Sequence, residues 1–147
     1  MVVPFERLPH GAGLELPSLA TDGSAGADVR AAVLAPRVLL PGQADTIPTG
    51  LRLAVPPGYE IQVRPRSGLS RRFRIGLTNS PGTIDSDYRG ELGILLINLG
   101  ERPFVIRRGE RIAQLVLARV AAMDAREAGH LQETARGAGG FGHSGVA

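Results

Sequence analysis

From Val38 to Val120 the chain consists of short apolar or alternating stretches, cut by Pro or Gly about every eight to twelve residues. Thr49–Val55, Glu60–Arg64, Glu91–Leu99 and Arg111–Val120 read as strands. Between strands, Pro41-Gly42, Pro56-Pro57-Gly58, Pro81-Gly82 and Arg108-Gly109-Glu110 supply turn signals. Proline removes a backbone donor and glycine costs more entropy to order, so such close punctuation breaks any long helix. What remains is antiparallel strands packed as a sandwich or barrel. Arg111–Arg126 is long enough for either element, and its first part is read as strand. No internal repeat is present, which argues against a solenoid or propeller.

The 147 residues are enough for one domain with its own core. Trp is absent and aromatics make up only 4%, so the core must be built from Val, Ile, Leu and Ala. The absence of Cys excludes a disulfide framework, a thiol nucleophile and thiolate metal sites. All 17 basic residues are Arg, which excludes a P-loop, since that motif needs Lys. The net charge of +3 comes without basic blocks interleaved with aromatics, so no nucleic-acid partner is expected. No stretch approaches the roughly 20 apolar residues of a membrane span, and Met1–His10 does not resemble a leader; a soluble, cytoplasmic protein is expected. Ala135–Ala147 is mostly Gly, Ala and small polar residues, which predicts a body of residues 1–134 and a mobile tail of residues 135–147.

Several standard catalytic layouts are missing: His-Glu-x-x-His, the Gly-x-Ser-x-Gly elbow, and GxGxxG opening a helix. His10, His130 and His143 are scattered and read as surface imidazoles. The run Gly82-Thr83-Ile84-Asp85-Ser86-Asp87-Tyr88-Arg89-Gly90-Glu91 sets two aspartates and a tyrosine at a turn between strand-like stretches. Taken alone it reads equally well as an acidic hairpin tip. Arg64-Pro65-Arg66-Ser67-Gly68-Leu69-Ser70 follows a strand as a turn, with a guanidinium fork, a hydroxyl and a backbone N–H suited to an anion. Arg136-Gly137-Ala138-Gly139-Gly140-Phe141-Gly142-His143-Ser144-Gly145 joins an Arg and a hydroxyl to closely spaced glycines and one aromatic able to stack on a base. Its bland alternative is a Gly-rich linker.

Five segments together, in order, resemble the homotrimeric dUTPases: Ala25-Gly26-Ala27-Asp28-Val29-Arg30-Ala31, Arg66-Ser67-Gly68, the Gly82–Glu91 hairpin, Arg108-Gly109-Glu110-Arg111-Ile112-Ala113-Gln114-Leu115, and the Gly-rich tail. The resemblance spans nearly the whole chain. It implies an all-β, distorted barrel or jelly roll of the β-clip type. Three chains would share three active sites. It also implies hydrolysis of dUTP to dUMP and pyrophosphate, lowering dUTP and supplying dUMP for thymidylate synthesis.

The same resemblance assigns roles. Asp85 is the general base for the attacking water. The Thr83 and Ile84 backbone reads uracil, with Asn79 assisting and Gly93 permitting close ligand approach, unless Gly93 marks a β-bulge. Tyr88 excludes a 2′-hydroxyl. Arg66, Ser67 and Gly68 grip the triphosphate, Gln114 lies near the α-phosphate, and Arg136 closes over the outer phosphates with Gly142 and Ser144. Phe141 covers the base. Mg²⁺ is held mainly by the triphosphate and waters, with Asp28 reaching its hydration shell or making a structural salt bridge. Glu110 and Arg111 are read as scaffold charges. A deaminase of dCTP on the same barrel would need a Glu-centred site and lacks this hairpin. A nucleotide sensor without turnover is opposed by the intact Asp85. A purely structural trimer leaves Arg66, Tyr88 and Phe141 together unexplained.

Overall fold

The computed structural model describes residues 1–140, so the assignments made to Phe141, Gly142 and Ser144 lie outside the described residues. The strands are β1 (Phe5–Arg7), β2 (Ser18–Leu19), β3 (Ala27–Arg30), β4 (Arg37–Leu39), β5 (Ala44–Pro48), β6 (Leu51–Leu53), β7 (Tyr59–Arg64), β8 (Ile75–Leu77), β9 (Gly82–Ile84), β10 (Gly93–Asn98), β11 (Phe104–Ile106) and β12 (Arg111–Arg119). A 3-10 turn occupies Pro9–Gly11, and one helix, α1, spans Ser67–Phe73. The ladders form a five-stranded sheet β2-β3-β12-β7-β9, a three-stranded sheet β5-β10-β8, and the pairs β1-β6 and β4-β11. Every pairing is antiparallel. The fold is therefore mostly β, as expected. Its hydrogen bonding is divided among four sheets, with no single closed ladder among the described residues.

Strand alternation does the packing. Along β10, Ile94, Leu96 and Asn98 turn inward and are buried, while Leu95 points out. In β7, Ile61 and Val63 are buried, and the intervening Gln62 accepts from Arg64 and donates to Glu60 on the other face. Ile47, Ile94, Ile106, Ile112 and Val29 form the centre of the core. Each such side chain removed from water contributes about 1.5–3 kcal/mol. Among the described residues no aromatic is fully buried, so the core is Val, Ile, Leu and Ala as the composition requires. The buried Asn98 is satisfied: its amide donates to the Leu39 and Arg102 carbonyls and its oxygen accepts from Gly100 N–H.

One segment departs from expectation. The residues after Arg66 form a seven-residue helix, where the sequence suggests only a turn. A helix this short shows no periodic signal and depends on tertiary support. Leu69 packs against the core, and the Ser70 hydroxyl donates to the Ile75 carbonyl. Arg74 ends the helix in the left-handed region at φ 58°, its N–H bonded back to the Leu69 and Ser70 carbonyls.

At the far end, β12 closes against β7 and the Val120 N–H reaches the Gly58 carbonyl at 3.0 Å. Residues 121–140 carry neither strand nor helix and are almost wholly exposed. No helix among the described residues is long and apolar enough to cross a membrane.

Candidate active site

The Gly82–Glu91 segment, expected as a hairpin, is instead a loop between two sheets: it leaves the five-stranded sheet through β9, which pairs with β7 at Gly82↔Val63, Thr83↔Gln62 and Ile84↔Ile61, and enters the three-stranded sheet through β10. Its tip is closed by Tyr88 N–H donating to the Asp85 carbonyl at 3.2 Å. The Asp85 side chain is exposed and takes part in no ion pair among the described residues. Tyr88 is 42% exposed. Its hydroxyl donates to the Glu91 carbonyl at 2.9 Å. A pocket of about 280 Å³ opens beside this tip and brings Asn79, Thr83, Ile84, Tyr88 and Gly93 together. Asn79 leans over Gly82, where a Cβ would sit 3.0 Å from its amide nitrogen. Gly93 pairs with Pro48 in unshifted register, so it is no bulge. The side chain closest to the space it leaves is Thr46, 2.8 Å from where a Cβ would be.

A second cluster forms where β3, β12 and the start of α1 meet. Arg66 Nε donates to Asp28 Oδ1 at 2.9 Å, and Arg111 Nη1 donates to Asp28 Oδ2 at 3.1 Å. Asp28 and Arg66 are three-quarters buried, with side-chain exposures of 23% and 25%. Gln114 stands opposite Asp28 in the ladder, and its amide donates to the Pro65 carbonyl at 2.9 Å. Gly26 makes room for it: a Cβ there would lie 2.2 Å from the Gln114 amide oxygen. Arg66 and Gln114 are thus held together, with Ser67 and Gly68 in the adjoining first turn of α1.

Both Asp28 oxygens are engaged by guanidinium groups, and no group of three His, Asp or Glu able to hold a metal exists among the described residues. The donor set therefore favours an anion. A divalent ion fits here only as the companion of that anion, coordinated chiefly by the anion's own oxygens.

Arg136 joins neither cluster. It lies in a local turn, its Nε donating to the Gly139 carbonyl at 2.8 Å. The two clusters themselves are separated. Two ladder steps sideways and four residues along the strands put the Cα atoms of Asp85 and Gln114 roughly 16 Å apart.

Comparison with known proteins adds the family. The dUTPase family model matches residues 13–145. The chain belongs to the dUTPase family. Deoxyuridine 5′-triphosphate nucleotidohydrolases of Brucella melitensis and Brucella suis are each 57% identical over 143 residues, covering 96% of this chain and 91% of theirs. Among solved structures, the dUTPase of Staphylococcus bacteriophage 80alpha with dUPNHPP superposes with a TM-score of 0.88 at 26% identity, covering 99% of both chains. A mutant dUTPase from phage phi11, described with a structural Mg(II) ion, shares the fold at 21% identity and a TM-score of 0.79, covering 90% of this chain and 100% of its own.

In this dUTPase chain His10 departs from the sequence reading. His10 is not a free surface imidazole: its Nε2 lies 2.7 Å from Glu91 Oε1, and both side chains are only about a third exposed, at 30% and 31%. The partners lie 81 positions apart, so no local pattern signals the contact. Arg111, read as a scaffold charge, is the second cation on Asp28. Glu110 does act as scaffold, its carboxylate accepting from the Arg107 N–H at 2.9 Å.

Proposed function

We propose that the chain hydrolyses dUTP to dUMP and pyrophosphate, with the base and sugar in the pocket beside the β9–β10 loop and the triphosphate at the arginine cluster. The observation that carries this reading is the meeting of Asn79, Thr83, Ile84, Tyr88 and Gly93 in one pocket beside Asp85. About 280 Å³ is at the small end of ligand pockets, suited to a base and sugar and not to a whole triphosphate. Backbone groups of Thr83 and Ile84, with Asn79, face the uracil edge. A donor–acceptor mismatch rejects cytosine. The Tyr88 ring fills the volume a 2′-hydroxyl would need.

Asp85 orients a water and accepts its proton as the oxygen attacks the α-phosphorus. The bond from that phosphorus to the bridging oxygen breaks, and pyrophosphate leaves. Arg66, with Ser67 and Gly68, binds the phosphates, and Gln114 lies against the α-phosphate. Asp28 pre-aims the Arg66 fork through its ion pair. A magnesium ion bound with the triphosphate would offset its charge and help hold the phosphates in line, while Arg66, Ser67 and Gly68 hold the oxygens it leaves free. Arg136, Phe141, Gly142 and Ser144 close over the ligand from residues 135–147, the tail of a body formed by residues 1–134.

Within one chain the Cα atoms of Asp85 and Gln114 stand roughly 16 Å apart. The resemblance to homotrimeric dUTPases supports pairing the Gly82–Glu91 loop of one subunit with the arginine cluster of another, with the tail also supplied from a different subunit than Asp85. Complementation tests this. Asp85→Asn protein and protein ending at Thr134 should each be nearly inactive. Co-refolded at equal amounts, they create positions where an intact Asp85 meets an intact tail. A substantial fraction of activity should return. Mixed trimers that form and stay as inactive as either parent would place each site within one chain.

A further inference from the structure

We propose that His10 is a positioning residue for the sugar discrimination of Tyr88, acting through Glu91; this rests on the role given to Tyr88 above. Glu91 is the residue that defines where the Tyr88 ring rests. The Tyr88 hydroxyl donates to the Glu91 carbonyl at 2.9 Å. The ring end lies against Gly90, where a Cβ would stand 2.3 Å from the phenol oxygen. Glu91 is fixed in turn by its carboxylate. Oε1 accepts the Gly50 N–H at 2.8 Å and faces His10 Nε2 at 2.7 Å. A carboxylate only accepts, so this pairing requires the hydrogen on Nε2.

The imidazole makes a firm anchor because its own backbone is held from two sides. Arg108 donates one nitrogen to the His10 carbonyl and another to the Ala12 carbonyl, each at 2.7 Å. Leu8 N–H reaches the Gly50 carbonyl at 2.9 Å, and Gly11 packs so closely on Gly50 that a Cβ would fall 2.4 Å from that carbonyl oxygen. The 3-10 turn carrying His10 is therefore tied to the same Gly50 loop that contacts Glu91. Without the imidazole, Glu91 keeps one of two donors on Oε1 and the end of the β9–β10 loop loses its link to the N-terminal turn. The Tyr88 ring then samples positions that admit a 2′-hydroxyl.

Three substitutions at position 10, alone and with Tyr88→Ala, test this by the ratio of kcat/KM for UTP to that for dUTP. His10→Ala should raise the ratio about tenfold, a change of about 1.4 kcal/mol in relative transition-state energy. His10→Gln, whose amide N–H reaches the same point, should stay within about twofold of the parent. His10→Asn is too short to reach, and should match His10→Ala even where the alanine variant folds poorly. In the Tyr88→Ala background His10→Ala should change the ratio by less than about twofold, since the gate it positions is gone. If Tyr88→Ala alone leaves the ratio unchanged, the reading of Tyr88 itself fails. If Tyr88→Ala shifts it while His10→Ala and His10→Asn do not, the His10 inference alone is overturned. An undiminished His10→Ala effect in the Tyr88→Ala background, or a His10→Gln variant as impaired as His10→Ala, overturns it as well.

Discussion

At the arginine cluster each charged group meets a partner: Asp28 accepts from both Arg66 and Arg111, and Gln114 is pinned to Pro65 over Gly26. At the tip of the β9–β10 loop Asp85 is exposed and in no ion pair among the described residues, while nearby Tyr88 is tied to Glu91. The first region spends its hydrogen bonds on holding cations in place before any anion arrives, so little ordering remains to be done on binding. The second leaves the Asp85 carboxylate unneutralised, which suits the proposed base, because a guanidinium beside it would lower its basicity. On the proposed reading, placement and chemistry are divided between two parts of the fold, one tied down and one bare.

The largest effect expected of this division is at the bare end. Asp85→Asn should lower turnover by about 10²–10⁴ while dUTP still binds, since the amide keeps the shape and cannot take the proton. Pyrophosphate release and calorimetric titration measure the two halves of that statement, and turnover within tenfold of the parent would move the chemistry elsewhere. At the tied-down end, Arg66→Ala should raise KM for dUTP about 10- to 100-fold, as charge-assisted hydrogen bonds are worth about 1.5–3 kcal/mol. Arg66→Lys should recover little, because an ammonium cannot reproduce the fork. An unchanged KM in Arg66→Ala would show that the cluster does not hold the phosphates.

Smaller is the change expected in selectivity. Tyr88→Ala should improve use of UTP relative to dUTP about tenfold, checked by parallel kcat/KM measurements. An unaltered ratio would mean that another group senses the sugar. Smallest of all, Asp28→Asn should lower the thermal midpoint by a few degrees and leave the magnesium dependence of turnover unchanged, since its partners are two arginines. A changed magnesium dependence with an unchanged midpoint would instead mark Asp28 as part of the ion's water shell.

How much of this was readable in advance depends on the range of the interaction. The strands beginning near Glu60, Glu91 and Arg111 are visible because alternation is a local property; β10 and β12 fall within those stretches, and β7 begins one residue earlier, at Tyr59. The three-residue β1 and two-residue β2 leave no such pattern and exist only through pairing with β6 and β3. Helix α1 was hidden for the reason that a seven-residue helix completes barely two turns. Asn79, Thr83, Ile84, Tyr88 and Gly93 were identified together by motif, and the structure places them in one pocket. The His10–Glu91 contact spans 81 positions between two unremarkable polar residues, and only the folded chain brings it into view.

The stretch after Val120 has a practical consequence. Arg126, with its side chain 83% exposed, and Arg136 both lie on a segment with no ladder to shield the peptide bonds beside them. In the body, by contrast, Arg64 and Arg111 sit within strands paired to their neighbours. A protease that cuts after arginine has no lysine to compete for it in this chain, and local unfolding is least costly on the exposed stretch. Brief digestion therefore trims the chain at Arg126 or Arg136 first and leaves a body ending just beyond β12. The rate of that trimming, followed with and without nucleotide, turns the segment into a built-in reporter of whether anything has settled over the site.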